Sequence, residues 1–314
     1  MYHPYFRGKQ FDLLTIKETA PTLAWAGFTP IIEPVRGALS SLTRALDAVI
    51  ENDGSAIIVV NPEHGEMSES GEPISKMLEE TYLDSSEVSA GILLTAETSL
   101  TEALGCFNKH SQHTPVFIHS GFTNSKNLAQ ELGVLTKNNL HIFVDDSGVK
   151  LAAKHFKAAS RVLLRDGFKR RKNKEYPFLE PFSDLHATYP DEGMDGFGDF
   201  LIVGDEYADG GGLPLVLAIH LTFIDSDQDD MMQIYHFKSK MHATQQDPAG
   251  KFAEALAVMM ETLDSPDSKV YETDAVLEFR ELFKKKHFPG LGYIKKLSMS
   301  HHIQTFAKYF GQGK

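Results

Sequence analysis

The stretch FGDFLIVGDEYADGGGLPLVLAIHLTFI, at residues 197–224, decides the fold of this chain. It joins two apolar runs through a turn that contains acidic residues and three consecutive glycines. Residues 200–203 and 213–224 are rich in branched and aromatic side chains and are bounded by Gly or Pro, which predicts two buried strands. We interpret the first as the last strand of a closed barrel, so that Asp205, Glu206 and Asp209 lie at its rim.

Short apolar runs also occur upstream, and a helical pattern follows most of them. The predicted strands cover residues 2–7, 28–33, 56–60, 89–94, 115–119, 140–145 and 161–165. Their lack of polar alternation is expected of parallel strands that are covered on both faces. With residues 200–203 as the eighth strand, the pattern predicts an α/β fold, a TIM-like (β/α)8 barrel; an open doubly wound sheet is the alternative.

Additions to this barrel are predicted in three places, although the chain is interpreted as a single domain over residues 1–314. Residues 166–196 form a long polar insertion before strand 8, and we interpret it as a lid because long loops in compact domains are often functional. Residues 213–238 predict a β-hairpin that extends the last strand. Residues 249–314 predict C-terminal helices at 249–263, 273–285 and 298–310, the last with Ser298 as its N-cap.

Composition excludes several classes of protein. The formal net charge of −12 repels nucleic acid unless a local basic patch exists. No apolar run reaches the roughly 18 residues that a transmembrane helix needs, so no membrane association is expected. The N-terminal residues lack the pattern of a signal peptide, and the single cysteine, Cys106, cannot form an internal disulfide. These features predict a cytoplasmic protein.

Polar residues follow the predicted strands, where TIM-type barrels carry their functional groups. In chain order they are Arg7, Glu33, Asn61, Glu97, His119, Asp145, Asp146, Arg165, Asp166, Asp205 and Glu206. Asp145, Asp166 and His119 are the candidate catalytic residues. Asp145, Asp166, Asp205 and Glu206 are predicted to hold Mg²⁺ or Mn²⁺, since carboxylates suit hard cations. The alternative is that strands of any barrel end in polar loops.

The segment at residues 165–174, RDGFKRRKNK, is the only dense basic run. Arg165, Arg170 and Arg171 are predicted to bind phosphate, with Phe168 and Tyr176 offering faces for stacking. A solvated loop is the alternative interpretation.

The loop at residues 209–212 carries one acid and three glycines: Asp209, Gly210, Gly211 and Gly212. Glycines there allow unusual backbone angles or the close approach of a ligand, with a simple tight turn as the alternative.

Four segments resemble an uncharacterised bacterial family related to the phage "beta protein" group. They are PYFRGKQFDLL near the N-terminus, FTPIIEPV, GFGDFLIVGDEYADGGG with LAIHLTFI, and the closing HFPGLGYIKKLSMSHHI. The resemblance implies a component of a mobile element or prophage, or of an antiviral defence cluster, with a nuclease-like protein as partner. It implies no set of catalytic residues.

Two main hypotheses follow. In the first, the rim binds a phosphate-containing small molecule or nucleic acid, and the bound metal assists phosphodiester hydrolysis. In the second, the protein is a non-catalytic binding subunit that partners the nuclease-like protein. A barrel that binds a carbohydrate or another small molecule is a third hypothesis.

Overall fold

A closed barrel of eight parallel strands organises the first part of the chain, as predicted. The computed structural model describes residues 1–146, 148–210, 212–241 and 244–311. The barrel strands are β1 (Tyr2–Phe6), β2 (Ile31–Ile32), β3 (Ala56–Val59), β4 (Val88–Leu94), β5 (Val116–His119), β6 (Leu140–Val144), β7 (Ser160–Leu164) and β9 (Gly196–Asp199). Strand β9 pairs with both β7 and β1, and this pairing closes the barrel.

Helices follow most of the strands and alternate with them along the chain. They are α1 (Gln10–Ala26), α2 (Ser40–Glu51), α3 (Glu72–Thr81), α4 (Leu100–Lys109), α5 (Ser125–Leu132), α6 (Val149–Ala153) and α7 (Leu185–Thr188). The alternation of strand and helix is that of a TIM-like (β/α)8 barrel.

The eighth barrel strand lies four residues before its predicted position, at Gly196–Asp199 rather than at 200–203. Glycine is required there because the wall closes tightly. A Cβ atom added at Gly198 would lie 2.1 Å from the carbonyl oxygen of His3 and 2.4 Å from Cδ2 of Leu164. Since glycine has low strand propensity, the sequence pattern pointed instead to the apolar residues that follow.

A second, three-stranded sheet contains the predicted hairpin, in the order β10-β11-β8. Its antiparallel strands are β8 (Leu179–Ser183), β10 (Ala218–Asp225) and β11 (Met231–Lys238). The prediction that the hairpin extends the last barrel strand is therefore wrong. Its third strand comes from the 166–196 insertion, and the role of that insertion as a lid stays a prediction.

Three helices end the chain: α8 (Pro248–Leu263), α9 (Asp274–Lys285) and α10 (Leu291–Gly311). The first two match their predicted positions. Helix α10 begins seven residues before its predicted start at Ser298, which is buried inside the helix and is not its N-cap. No helix in the described ranges combines the length and the apolar character needed to cross a membrane.

The described residues divide into two compact units. Unit 1 comprises Met1–Asp166 and Thr188–Phe200, and contains the barrel. Unit 2 comprises Gly167–Ala187 and the residues from Leu201 onward, and contains the three-stranded sheet with α8, α9 and α10. The core of unit 1 includes a cluster inside the barrel: Tyr5, Ile31, Ile57, Val59, Leu93, Val116, Ile118, Ile142, Val162, Leu164 and Phe200.

Candidate functional site

The interior cluster identifies which side chains reach the mouth of the barrel. Successive side chains of a strand point to opposite faces, so a residue two positions beyond an interior residue also points inward. Arg7 follows Tyr5 by two positions, and Glu33 follows Ile31 by two. The backbone N–H of Glu33 donates to the carbonyl of Phe6 at 2.8 Å, so strand pairing extends to this rim. Arg7 and Glu33 therefore lie at the C-terminal mouth, where barrels of this type carry their active sites.

Glu33 is the centre of the hydrogen-bond network at the mouth. Its side chain is 0% exposed. Oε2 accepts from the hydroxyl of Tyr5 at 2.9 Å and from the guanidinium of Arg7. Oε1 accepts from the backbone N–H groups of Glu63 and His64, at 3.0 and 3.1 Å, and lies 3.0 Å from Nδ1 of His64. The carboxylate thus connects the loops that follow β1, β2 and β3.

These contacts keep the buried Glu33 carboxylate charged. Burial alone raises its pKa, but the hydrogen bond from His64, the charge of Arg7 and the hydrogen bond from Tyr5 together outweigh burial and lower the pKa to about 2. Glu33 is therefore an anion at every physiological pH. A permanently charged acceptor fixes the orientation of the groups that donate to it.

Arg7 lies beneath aromatic rings as well as beside the carboxylate. Its Cζ atom lies 5.0 Å from the ring centroid of Tyr5 and 5.6 Å from that of Phe200, distances typical of cation–π contacts. The side chain is 12% exposed. A guanidinium carries five N–H donors in a rigid fork, a geometry that matches the oxygens of carboxylate and phosphate groups.

His64 has the geometry of a histidine oriented by a carboxylate. The ionised Glu33 can only accept, so Nδ1 of His64 donates in that contact. The side chain is 26% exposed. A half-buried imidazole with one nitrogen fixed by a carboxylate can accept a proton from a nucleophile, as in general-base catalysis.

Two glycines allow the loops to pack closely around this network. Gly8 has φ +60°, and a Cβ atom there would lie 2.8 Å from the carbonyl oxygen of Glu33. Gly65 has φ +72°, and its Cβ atom would lie 2.3 Å from the carbonyl oxygen of Val35. Both positions combine a left-handed backbone with too little space for a side chain. The loops that carry Arg7 and His64 are therefore held tightly against the loop that carries Glu33.

Arg165, predicted to bind phosphate, is paired with carboxylates. Its Nε atom donates to Oδ2 of Asp145 at 2.5 Å, and Nη2 donates to Oε1 of Glu192 at 3.1 Å. Both residues lie one position off the inward-pointing register set by Val162, Leu164 and Ile142, so they point away from the barrel interior. Arg165 and Asp145 come together and form an ion pair, and their roles in binding phosphate and metal stay predictions.

Arg170 and Arg171, the other predicted phosphate ligands, belong to unit 2 and also have acidic partners. Arg170 donates to the carbonyl of Glu206 at 2.8 Å, and its Nη1 lies 3.5 Å from Oε1 of Glu206. Arg171 donates to both carboxylate oxygens of Glu180. Phe168 and Tyr176 are buried, so their rings are not the open stacking faces that the sequence suggested.

The four predicted metal ligands do not form a cluster. Across the described ranges, no three His, Cys, Asp or Glu side chains are grouped so that they could hold a metal ion. Asp145 and Glu206 are instead paired with arginines, and a role for Mg²⁺ or Mn²⁺ stays a prediction.

His119, a predicted catalytic residue, is the last residue of β5, but its side chain does not point into the barrel. It alternates with the interior residue Ile118 and therefore points outward from the barrel wall. Its ring stacks 4.6 Å from the ring of Phe143, and its Nε2 atom lies 3.1 Å from Nδ1 of His141. Burial lowers the pKa of His119 well below its ordinary value, with the charge of His141 as a further cause. At 3% exposure, His119 is buried and neutral, and its catalytic role stays a prediction.

The glycine-rich loop has space for side chains at two of its three glycines, and its role in binding stays a prediction. The hydroxyl of Tyr207 donates to Oδ1 of Asp209 at 2.5 Å. A Cβ atom at Gly210 or Gly212 would meet no heavy atom within 4 Å, so neither position requires glycine for lack of space. Gly211 lies outside the described residues.

The sequence pattern indicates part of the mouth site but gives no sign of His64. Arg7 and Glu33 stand among the polar residues that follow the strands, although neither was selected as catalytic. His64 lies in a polar stretch after β3, and nothing in its spacing links it to Glu33. The available signal was Glu33 itself, an acid directly after an apolar strand and three residues before an arginine.

Comparison with protein-family models, with curated proteins and with solved structures gave no match. The resemblance to the family related to the phage "beta protein" group therefore stays a prediction.

Proposed function

We propose that the mouth of the barrel in unit 1 binds a phosphate-containing ligand and hydrolyses a phosphodiester bond. The observation that carries this proposal is the contact between Glu33 and His64, beside the arginine that Glu33 also binds. In this arrangement Arg7 binds a phosphate oxygen and His64 activates the attacking water. Both functional side chains are positioned by one buried carboxylate.

The proposed step moves one proton and exchanges one bond at phosphorus. Nε2 of His64 takes a proton from water as the water oxygen attacks phosphorus, and the bond to the leaving oxygen breaks. The leaving oxygen then receives the proton that His64 holds. Arg7 stabilises the negative charge that builds up on the phosphate oxygens, and Glu33 stabilises the imidazolium that forms.

The substitution His64→Asn tests the proposal, because an asparagine amide can replace the Nδ1–H donor to Glu33 but has no group at Nε2. With bis(4-nitrophenyl) phosphate as substrate, we expect the variant to lose about 10²- to 10⁴-fold in kcat, the usual contribution of a general base. Assays with EDTA, Mg²⁺ and Mn²⁺ measure the contribution of a metal. His287→Asn, at an exposed histidine of unit 2, is the control and should keep the wild-type rate.

A second candidate function is non-catalytic binding of the same class of ligand. It is favoured by the hydrogen bonds that occupy both oxygens of Glu33 and by the low exposure of Arg7, features that also suit a rigid binding surface. In that case the wild-type protein binds phosphate but shows no turnover under any of these conditions. Turnover that depends on His64 would contradict this alternative.

The cellular context that we propose, a bacterial or phage defence module with a nuclease-like partner, rests on the sequence resemblance alone. Co-purification of the protein with the product of a neighbouring nuclease-like gene would test it. A protein that elutes alone from such a co-expression would argue against the partnership.

A further inference from the structure

A chain of polar side chains crosses the three-stranded sheet of unit 2. Arg171 binds both oxygens of Glu180 on β8, and Oε1 of Glu180 lies 3.1 Å from Nε2 of His236 on β11. Nδ1 of His236 lies 2.7 Å from Nδ1 of His220 on β10. None of these contacts belongs to the site in unit 1.

The carboxylate at one end fixes the direction of every hydrogen bond in the chain. Hydrogen bonds and the charge of Arg171 outweigh burial and lower the pKa of Glu180, so it is ionised and can only accept. Nε2 of His236 therefore donates to Glu180, and Nδ1 of His236 must accept from Nδ1–H of His220. This order of donors and acceptors leaves Nε2 of His220 unprotonated, so its lone pair lies at the end of the hydrogen-bond chain.

The environment of His220 disfavours a positive charge on its ring. His236 is 1% exposed, whereas His220 is only half-buried. Burial, and after it the charge of His236, lowers the pKa of His220 to about 3. An anion beside Nε2 would reverse this balance, because it would favour the protonated ring.

Cationic residues lie on the segment that packs against His220. The rings of Phe168 and Tyr176 lie 5.1 and 5.0 Å from the ring of His220. Between them in sequence, Lys169, Lys172 and Lys174 are exposed to solvent. The same segment also carries Arg170 and Glu175. Glu180 and Arg171 lie beside His236, and Nζ of Lys238 donates to the carbonyl of Tyr176.

We propose that unit 2 contains a proton-coupled binding site for a phosphate-class anion, centred on Nε2 of His220. The anion accepts a hydrogen bond from the protonated ring, and the lysines supply the long-range attraction. The hydrogen bonds through His236 to the carboxylate of Glu180 stabilise the positive charge on the ring of His220. Glu180 is a positioning residue, because it acts on the anion only through the histidines. The proposal does not depend on the function proposed for unit 1.

Histidine-selective ¹⁵N NMR of the wild-type protein, titrated with inorganic phosphate at pH 7, tests this directly. Before phosphate is added, we expect His220 to be the Nδ1–H tautomer and His236 the Nε2–H tautomer. Phosphate should then shift the Nε2 resonance of His220 towards the protonated form. His301 is the internal reference: it is fully buried in the same unit and its Nε2 lies 2.8 Å from the carbonyl oxygen of Thr222. An Nε2–H tautomer of His220, or no shift at His220 with phosphate, would overturn the proposal.

Calorimetry in buffers of different ionisation enthalpy measures the coupled protons. We expect net uptake of up to one proton per bound phosphate in the wild-type protein, and a clear reduction in Glu180→Gln, because the histidines lose their anionic neighbour. Glu175→Gln, at an exposed carboxylate on the same segment, should leave the uptake unchanged. Equal uptake in the wild-type protein and in Glu180→Gln would show that the chain plays no part.

Discussion

At the scale of single residues, Glu33 determines the geometry of the mouth. It is a buried anion that holds a cation from the loop after β1, and a histidine and two backbone N–H groups from the loop after β3. A buried charge of this kind is costly unless every oxygen is paired, and here both are. Removing the carboxylate therefore affects more than one interaction.

We expect Glu33→Ala to lower the free energy of unfolding by about 3–5 kcal/mol, because it leaves the charge of Arg7 without its buried partner. Urea denaturation measures the change. Glu80→Ala is the matched control, since Glu80 forms only an exposed pair with Lys76 on α3, where it should cost less than about 0.5 kcal/mol. Equal losses in the two variants would contradict the role assigned to Glu33.

At the scale of strands and loops, the sequence could predict the barrel but not which strand residues point inward. Parallel strands are apolar on both faces, so no alternation distinguishes the interior from the outer wall. For this reason the sequence pattern does not distinguish the inward-pointing Arg7 and Glu33 from three outward-pointing residues, His119, Asp145 and Arg165. The inward-pointing residues can be identified only in the assembled barrel, where they pack into one cluster.

The closing strand was missed by four residues for a related reason. Gly196 and Gly198 lack the side chains that mark a strand, yet the tight contact with β1 and β7 requires them. The third strand of the second sheet was missed because its sequence, LEPFS, contains a proline and no clear period. A local sequence pattern does not reveal constraints imposed by residues that are distant in sequence but close in the fold.

The packing of the mouth loops gives a prediction at this scale. Gly65→Ala should lower the free energy of unfolding by about 2–4 kcal/mol, from backbone strain at positive φ and from the clash with Val35. Gly105→Ala is the control: it lies in α4 with no atom within 4 Å of the added Cβ, so it should stabilise the protein by up to about 1 kcal/mol. Thermal unfolding of both variants measures these changes in stability. A Gly65→Ala variant as stable as the wild type would contradict the close packing.

At the scale of the whole molecule, histidines with lowered pKa values make the folded state sensitive to acid. Burial is the main cause that lowers the pKa of His141 and His220 to about 3 and that of His301 to about 4. These groups are neutral when folded, but in the unfolded chain they bind protons below about pH 6.5. The unfolded state therefore gains protons first as pH falls, and stability decreases from pH 6.5 down towards the folded pKa values. Glu33 does not contribute to this loss of stability. Its stabilising effect is complete above its unfolded pKa, about 4.3, and is lost only as the pH falls towards 2.

We expect each of these histidines to reduce stability by about 1.4 kcal/mol per pH unit below 6.5. The substitution His141→Gln should reduce the pH dependence of unit 1 by that amount per unit, even though it lowers stability at pH 7.5. Hydrogen exchange of peptides from β5 and β6, measured between pH 7.5 and 5, follows the effect locally. An unchanged slope in His141→Gln would contradict the assignment, and His287→Gln, at an exposed site, should behave as the wild type.

The most direct test of the mouth site is the response of His64 to a phosphodiester that the protein cannot readily cleave. We predict that dimethyl phosphate shifts the side-chain ¹⁵N resonances of His64 in the wild-type protein, and that Arg7→Lys, which keeps the charge but loses the guanidinium fork, weakens the effect. The deeply buried His119 should not respond. Unperturbed His64 resonances at saturating dimethyl phosphate, in a protein that remains folded, would contradict the account.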